Sequence, residues 1–297
     1  MTTLCTLSED IASAIAQVAP AVVSIPGKRG GNSGLYWGDG IVITTVDAIR
    51  RRDGVEIVLP GGETLSAAVR GQDPGSDVAL LQVDTSLDLP TVTLGPTDAL
   101  QPGQIVFAVG QSDGEIRAGF GILASVGGAW QSWTGGHIDQ LIRPDIRPFP
   151  GFAGSPLIDT EGRVLGLNTT YGRGRFAITI PIPTVEQVVG QLLQQGRVTQ
   201  GYLGVGLQPV ALMENIRASL GIAQDQGILI VSIEADGPAD AAGMLVGDIL
   251  LAVAGEAVTN LPELRSQLGP SRVGQPVTAE LVRGGQRVEL TIIVGER

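Results

Sequence analysis

Short apolar runs separated by glycine-rich turns fill residues 21–180, and this rhythm restricts the fold more than any other feature. The clearest runs are Ile41–Thr45, Gly54–Leu59, Val78–Val83, Ile105–Val109, Gly119–Val126 and Val164–Asn168. Runs of about four to eight residues are typical of strands and too short for most helices. Gly61-Gly62 and Asp113-Gly114 are typical hairpin connections. We therefore expect a barrel or sandwich of antiparallel strands in this part of the chain.

Two amphipathic helices are expected beside this β region. Residues 7–19 place apolar side chains on one face and are followed by Pro20, which cannot continue a helix. Pro183–Gln195 carries a second apolar stripe, and Gly196 is a suitable stop signal.

A second unit is expected to begin near Gly201, with the boundary at residues 196–201. The predicted domains are residues 1–197 and 200–297, which agrees with roughly 100–200 residues per domain. The strands predicted for the second domain are Leu203–Leu207, Gly227–Ile233, Ile249–Val253, Val277–Val282 and Val288–Val294, and its predicted helices are Ala211–Leu220 and Leu261–Leu268.

The charge and the rare residues exclude several functions. A net charge of −11 argues against binding to nucleic acid or to an anionic membrane surface. One histidine, His137, and one cysteine, Cys5, cannot make a structural zinc site, so we expect no metal and no cofactor. No apolar run reaches the ~18 residues of a membrane span. No signal peptide is visible, which favours a cytoplasmic location unless a leader was removed.

Several sequence blocks occur in the order and spacing of the HtrA/Deg family of trypsin-like serine proteases, which the chain resembles over nearly its whole length. They are Gln17–Ile25, Gly71–Leu81, Pro150–Leu157, Gly162–Asn168, Phe176–Pro181, Gly201–Val205, Gly237–Gly243 and Gly247–Leu250. The resemblance implies a mainly β fold. Two six-stranded β-barrels would meet near residues 100–105, and a permuted PDZ domain would follow them.

The resemblance also assigns the catalytic positions of the family. Asp77 matches the triad aspartate, Asp47 stands at the histidine position, Ala153 stands at the serine position, and Gly151 is what is left of the oxyanion loop. Catalysis by this fold needs a serine nucleophile and a histidine base. Alanine has no nucleophile, and a carboxylate with a pKa near ~3.9 is a weak base for a hydroxyl. We therefore expect an inactive homologue rather than an enzyme.

Other residues offer less direct routes to catalysis. Ser155 lies two residues after the serine position and would need the loop to rearrange before it could attack. His137 and Lys28 are poor candidates for a replacement base, because both fall in loop segments. Asp47 and Asp77 are expected to lie close together and to share a proton or an ordered water.

The C-terminal domain is expected to bind peptide C-termini by adding them as a strand to an open sheet edge. The resemblance places the carboxylate-binding loop at Tyr202, Leu203, Gly204 and Val205. Gly206 and Leu207 would continue the pairing strand, and Leu264 and Leu268 would line the opposite wall.

The expected function is that of an adaptor or scaffold whose partners are peptide or protein C-termini, or an active partner protease. One alternative is an active ATP-independent serine-type endopeptidase with an unorthodox site. A second alternative is a chaperone-like binder of unfolded segments. Family members form trimers through N-terminal aromatic residues, which residues 1–25 lack. The sequence therefore favours a monomer or an atypical oligomer.

Overall fold

The computed structural model describes residues 3–27, 30–49, 54–84, 87–132, 136–171, 176–198, 201–269 and 272–296. The chain divides into two compact units, Met1–Val198 and Thr199–Arg297. Each unit has hydrophobic core clusters of its own residues.

The first half of unit 1 is a closed six-stranded barrel. Its elements are α1 (Thr3–Val18), β1 (Val22–Ile25), β2 (Asn32–Gly38), β3 (Ile41–Thr45), α2 (Val46–Ile49), β4 (Gly54–Val58), β5 (Thr64–Asp73) and β6 (Val78–Gln82). The strands follow the order β1-β2-β3-β6-β5-β4 around the barrel. Strands β1 and β3 are buried along their whole length, which explains why apolar residues dominate both and neither contains a charged residue.

The second half of unit 1 is another closed six-stranded barrel, in the order β11-β14-β13-β12-β7-β8. Its elements are β7 (Ile105–Ser112), β8 (Glu115–Gly127), β11 (Leu141–Pro144), β12 (Pro156–Ile158), β13 (Val164–Tyr171), β14 (Phe176–Pro181) and α3 (Ile182–Gln195), with a separate two-stranded sheet of β9 (Trp130–Gln131) and β10 (His137–Ile138). The mainly β fold with two six-stranded barrels is thus confirmed.

Local predictions from turn and capping residues agree with the structure. Asp113 and Gly114 form a two-residue hairpin loop between β7 and β8, and both have positive φ, at 54° and 81°. Gly196 ends α3 with φ 72°, and its N–H donates to the carbonyl of Leu192. Helix α1 begins at Thr3 rather than at residue 7, and a 3-10 turn, Ala19–Ala21, follows it at Pro20.

Unit 2 is a six-stranded antiparallel sheet, in the order β16-β17-β18-β20-β21 with β19 against β18, beside a two-stranded sheet of β15 and β22. Its elements are β15 (Gly201–Tyr202), β16 (Val205–Ala211), α4 (Glu214–Leu220), β17 (Gln226–Ile233), α5 (Pro238–Ala241), β18 (Ile249–Val253), β19 (Glu256–Ala257), α6 (Leu261–Gln267), β20 (Pro276–Arg283), β21 (Gln286–Ile293) and β22 (Gly295–Glu296).

Strand β16 lies at the edge of this sheet, so one side of it has no strand partner within the described residues. The predicted strand start at Leu203 is wrong, because Leu203 and Gly204 form an irregular loop and the strand begins at Val205. Helix α4 starts at Glu214 rather than at Ala211, because β16 extends to Ala211.

No helix among the described residues is both long enough and apolar enough to cross a membrane.

Candidate active site and peptide groove

Asp77 lies at the edge of the first barrel, in the turn before β6, with φ 61°. Its Oδ2 accepts a hydrogen bond from Oγ1 of Thr169 on β13, at 2.5 Å. The backbone N–H of Asp47 also donates to this carboxylate, and the N–H of Val46 donates to the Asp77 backbone carbonyl at 3.2 Å. The carboxylate is therefore held by groups from both barrels of unit 1.

Asp47 is the second residue of α2, directly after β3, and its side chain is exposed. The structure places Asp47 close enough to Asp77 for its charge and its backbone N–H to act on the Asp77 carboxyl. Burial is the largest effect on Asp77 and raises the pKa of its carboxyl, and the charge of Asp47 raises it too. The hydrogen bonds from Thr169 and from the two backbone N–H groups lower this pKa but do not cancel the rise.

Ala153 occupies the turn that precedes β12. Its carbonyl accepts from the N–H of Ser33, at 2.8 Å. Gly151 has φ 85°, and its N–H donates to the carbonyl of Gly31 at 3.3 Å. An oxyanion hole requires such an N–H to point at the substrate oxygen. In this structure, the Gly151 N–H instead donates to the carbonyl of Gly31, directly before β2.

Ser155 is fully buried, and both functions of its hydroxyl are used. Its Oγ donates to the carbonyl of Phe152 at 2.6 Å and accepts from Nδ2 of Asn168 at 3.0 Å. Oδ1 of Asn168 in turn accepts from Thr179 at 2.8 Å. Ser155 therefore ties the turn to β13 and β14, and attack on a substrate would require both of its hydrogen bonds to break.

Phe152 anchors the same turn in the core of the second barrel. Its side chain is 1% exposed, and it meets Phe149 edge-on with ring centroids 5.6 Å apart. The phenylalanine at this position therefore has a packing role in the second barrel.

Of the remaining base candidates, the structure describes His137 only. His137 on β10 is exposed, and its Nε2 lies 3.5 Å from Oδ1 of Asp139. Oδ2 of Asp139 accepts from Thr184 at 2.6 Å. Lys28 lies outside the described residues.

A groove of about 370 Å³ opens in unit 2. It is lined by Gly201, Tyr202, Leu203, Val205, Leu207, Leu261, Leu264, Arg265 and Leu268. Gly204 has φ 75°, which a residue with a side chain rarely adopts. The carbonyls of Leu203 and Gly204 accept from Ala239 and Glu234, whereas no hydrogen bond among the described residues uses their N–H groups.

The two walls of the groove are the edge strand β16 and the helix α6. Val205, Gly206 and Leu207 begin the strand and are half-buried. The predicted lining residues Leu264, on α6, and Leu268, directly after its last residue, both line the groove. The sequence prediction did not include Leu261 and Arg265. Leu261, Leu264 and Arg265 follow the spacing i, i+3 and i+4, which places them on the same face of the helix.

Comparisons with known proteins agree with this division of the chain. Residues 32–167 match the family described as trypsin-like peptidase domain, and residues 201–294 match the PDZ domain. A protein of Halomonas elongata named probable periplasmic serine endoprotease DegP-like is 32% identical over 87% of this chain and 54% of its own length. Its namesake from Rickettsia conorii is 30% identical over 86% of this chain and 51% of its own length. This chain thus spans about half the length of these curated relatives.

Two solved structures are similar along almost the whole chain. The HtrA-type protease AlgW with decapeptide has a TM-score of 0.77 and 25% identity, covering 97% of this chain and 98% of that one. The same protease with tripeptide has a TM-score of 0.74 and 28% identity, covering 97% of both chains.

These relatives overturn two expectations from the sequence. The expectation of a non-enzyme is contradicted, because the relatives are named serine endoproteases. That expectation depended on the side chains at Asp47 and Ala153 alone. The cytoplasmic location is contradicted as well, because the relatives are named periplasmic. The chain combines a trypsin-like peptidase domain with a PDZ domain in the manner of the HtrA/DegP-type serine proteases.

Proposed function

We propose that the groove of unit 2 binds the C-terminus of a peptide or protein, which adds to the free edge of β16 as a further strand. The main support for this proposal is the loop at Leu203 and Gly204. The two carbonyls of this loop accept hydrogen bonds from backbone N–H groups of unit 2, whereas its two N–H groups have no acceptor among the described residues. Two adjacent N–H groups of this kind suit a carboxylate.

The shape and lining of the groove agree with such a ligand. Its volume of about 370 Å³ lies at the lower end of the usual range for ligand sites, roughly 300–1,000 Å³. Leu264 and Leu268 form an apolar part of the groove wall that would contact the last side chain of the peptide. The solved structures of AlgW with a decapeptide and with a tripeptide are similar to this chain and favour the same use.

The test measures binding of a fluorescent peptide that ends in leucine, with a free carboxylate or with a terminal amide. We expect the amide to bind about tenfold more weakly, because it loses the charge-assisted hydrogen bonds of the loop. Leu261→Asp should weaken binding of the free acid similarly, by placing a charge in the groove. The matched control is Leu245→Asp, at an exposed position outside the lining. Equal binding of acid and amide, unaffected by Leu261→Asp, would contradict the proposal.

A second candidate function is serine-type endopeptidase activity through an unorthodox site, acting in the periplasm. The names of the relatives favour it. The cleft of unit 1 would supply the Asp47–Asp77 pair as the proton acceptor, and Ser155 would be the nearest hydroxyl on the nucleophile turn. Ser155 could serve only after releasing Phe152 and Asn168.

Cleavage of unfolded β-casein by repurified protein tests this candidate. If the candidate is right, cleavage should fall by at least tenfold in Asp77→Asn or in Ser155→Ala. It should stay unchanged in Asp98→Asn, which alters an exposed carboxylate elsewhere. The Ala153→Ser/Asp47→His double variant is the positive control for the scaffold. An active double variant beside a natural chain that cleaves nothing would contradict this candidate.

A further inference from the structure

Arg265 interrupts an apolar stripe on the wall of the peptide groove. Leu261, Leu264, Arg265 and Leu268 follow the spacing i, i+3, i+4 and i+7, which places all four on one helix face. All four line the groove, and Arg265 is the only charged residue among the lining residues. A positive charge on the wall of an apolar groove points to a specific ligand group rather than to packing.

The Arg265 guanidinium has no acidic partner among the described residues. The acidic residue closest to it in α6, Glu263, is used elsewhere, since its Oε2 accepts from the N–H and the hydroxyl of Thr259 at 2.7 and 2.8 Å. Two other arginines of unit 2 are already paired: Arg217 with Glu214, and Arg283 with Asp248. The chain as a whole carries a net charge of −11, which makes an unpaired cation at this position more notable.

One hydrogen bond fixes the direction in which a peptide would meet this arginine. The N–H of Gly201 donates to the carbonyl of Leu268 at 3.0 Å, so the C-terminal end of α6 lies beside the carboxylate-binding loop. The last residue of a bound peptide would therefore lie near Leu268, and earlier residues would run towards Leu261. At about 1.5 Å per helical residue, Arg265 lies about 4.5 Å from Leu268 along the helix axis.

Strand geometry then selects the peptide residue that Arg265 can reach. Alternate residues of an added strand face the same wall and are about 7 Å apart. The side chain two positions before the last residue thus faces α6 next to Arg265, while the penultimate side chain faces away from this wall. A guanidinium binds a carboxylate with two parallel hydrogen bonds, so an aspartate or glutamate is the matching ligand group.

We propose that Arg265 makes this groove selective for C-termini that carry an acidic side chain at the third residue from the end. This inference rests on the proposed function, because it requires that the groove binds peptide C-termini. It adds a chemical class of ligand and names the residue that selects it.

The experiment compares fluorescent peptides that differ only at the third residue from the end, which is glutamate, glutamine or lysine. The natural chain should bind the glutamate peptide about tenfold more tightly than the glutamine peptide. In Arg265→Gln this preference should disappear. In Arg265→Glu the lysine peptide should bind most tightly. Arg287→Gln is the matched control, because Arg287 donates to the carbonyl of Gly221 and is not a lining residue.

Two further peptides separate the possible sources of the carboxylate. A terminal amide should weaken binding by the same factor in the natural chain and in Arg265→Gln, because the loop N–H groups bind the terminal carboxylate. A glutamate moved to the penultimate position should bind no better than glutamine there. If Arg265 instead binds the terminal carboxylate, the amide will weaken binding less in Arg265→Gln than in the natural chain. If it binds the penultimate side chain, glutamate at that position will bind more tightly than glutamine. Either result overturns the inference.

Failure of this inference is distinguishable from failure of the proposed function. If no peptide binds, with either end group, the groove does not take C-termini and both fall. If the glutamate and glutamine peptides bind equally while the amide binds more weakly, the groove function stands and the role of Arg265 is rejected.

Discussion

The hydroxyl of Thr169 donates to Oδ2 of Asp77 across the cleft between the two barrels of unit 1. Asp77 belongs to the first barrel, and Thr169 lies on β13 of the second. The backbone N–H of Asp47 also donates to this carboxylate, and the N–H of Val46 donates to the backbone carbonyl of Asp77. The protonation of Asp77 is therefore sensitive to how the two barrels are held together.

Thr169→Val is expected to raise the pKa of Asp77 further above its ordinary value. The variant keeps the shape of the side chain and removes a hydrogen bond that favours the ionised carboxylate. The carboxyl ¹³C shift of Asp77, followed by NMR as a function of pH, measures the change. Thr184→Val is the matched control, because that hydroxyl bonds Asp139 instead. An Asp77 midpoint that is unmoved by Thr169→Val would contradict the prediction.

Asp47→Asn is expected to have the opposite effect and to lower the pKa of Asp77. The substitution removes the negative charge that raises this pKa, and it leaves the backbone N–H of residue 47 in place. The same NMR titration reports the result, with the exposed Asp39→Asn as the control. If the midpoint of Asp77 does not move, the two carboxylates titrate independently and the expectation of a coupled pair is wrong.

Asp77→Asn should change how stability depends on pH. The pKa of Asp77 is higher in the folded chain than in the unfolded chain, where it is near 3.8. The contribution of Asp77 to the free energy of unfolding is therefore complete below pH 3.8 and is lost as the pH rises through the pKa of the folded chain. The free energy of unfolding of the variant, relative to that of the natural chain, should therefore increase with pH above about 4. Urea unfolding followed by tryptophan fluorescence measures this difference. A difference that is constant with pH would contradict the raised pKa.

The sequence predicts the barrels well because their signals are local. Asp113 and Gly114 determine a two-residue turn between neighbouring strands, and Gly196 determines a helix end. The positions of Asp47 and Asp77 are also accessible from the sequence. Asp47 follows β3 and Asp77 directly precedes β6, and these two strands pair with each other.

The interactions that the sequence could not predict join residues far apart in the chain. The hydrogen bond from Gly151 to Gly31 spans two barrels, and nothing in either glycine marks the other as its partner. The hydroxyl of Ser155, in the turn before β12, accepts a hydrogen bond from Asn168 on β13. Arg265 resembles an ordinary exposed helix residue until the groove beside it is known.

Ser155→Ala is expected to lower the free energy of unfolding of unit 1 by about 1–3 kcal/mol, because it leaves the buried Nδ2 of Asn168 without this acceptor and removes the shorter of two hydrogen bonds to the Phe152 carbonyl. Ser76→Ala is the matched control. Ser76 is also buried, but its hydroxyl has no hydrogen-bond partner among the described residues, so its loss should cost little. Urea unfolding followed by tryptophan fluorescence distinguishes the two. Equal effects would contradict a structural role for the Ser155 network.

Arg283→Gln is expected to destabilise unit 2 through the buried carboxylate of Asp248. Asp248 is 1% exposed, and Nε and Nη2 of Arg283 bond its two oxygens at 2.8 and 2.7 Å. Burial alone raises the pKa of Asp248. The hydrogen bonds from Arg283 and the Leu245 N–H, with the arginine charge, outweigh burial and hold the pKa below its ordinary value.

Removing the arginine leaves a buried charge uncompensated, which typically costs about 3–5 kcal/mol. Hydrogen exchange of the amides in β18 and β20 measures the loss within unit 2 of the full chain. Because the folded pKa of Asp248 is depressed, its stabilisation is present above the unfolded value near 3.8 and is lost as pH falls through the folded value. The difference in the stability of unit 2 between the natural chain and Arg283→Gln should therefore become smaller as the pH is lowered. Arg217→Gln breaks a pair with the exposed Glu214 and a hydrogen bond to the Ala223 carbonyl, and it should cost less than Arg283→Gln because no buried carboxylate loses its partner. A comparable loss in both variants would show that Arg283 contributes no more than a surface charge.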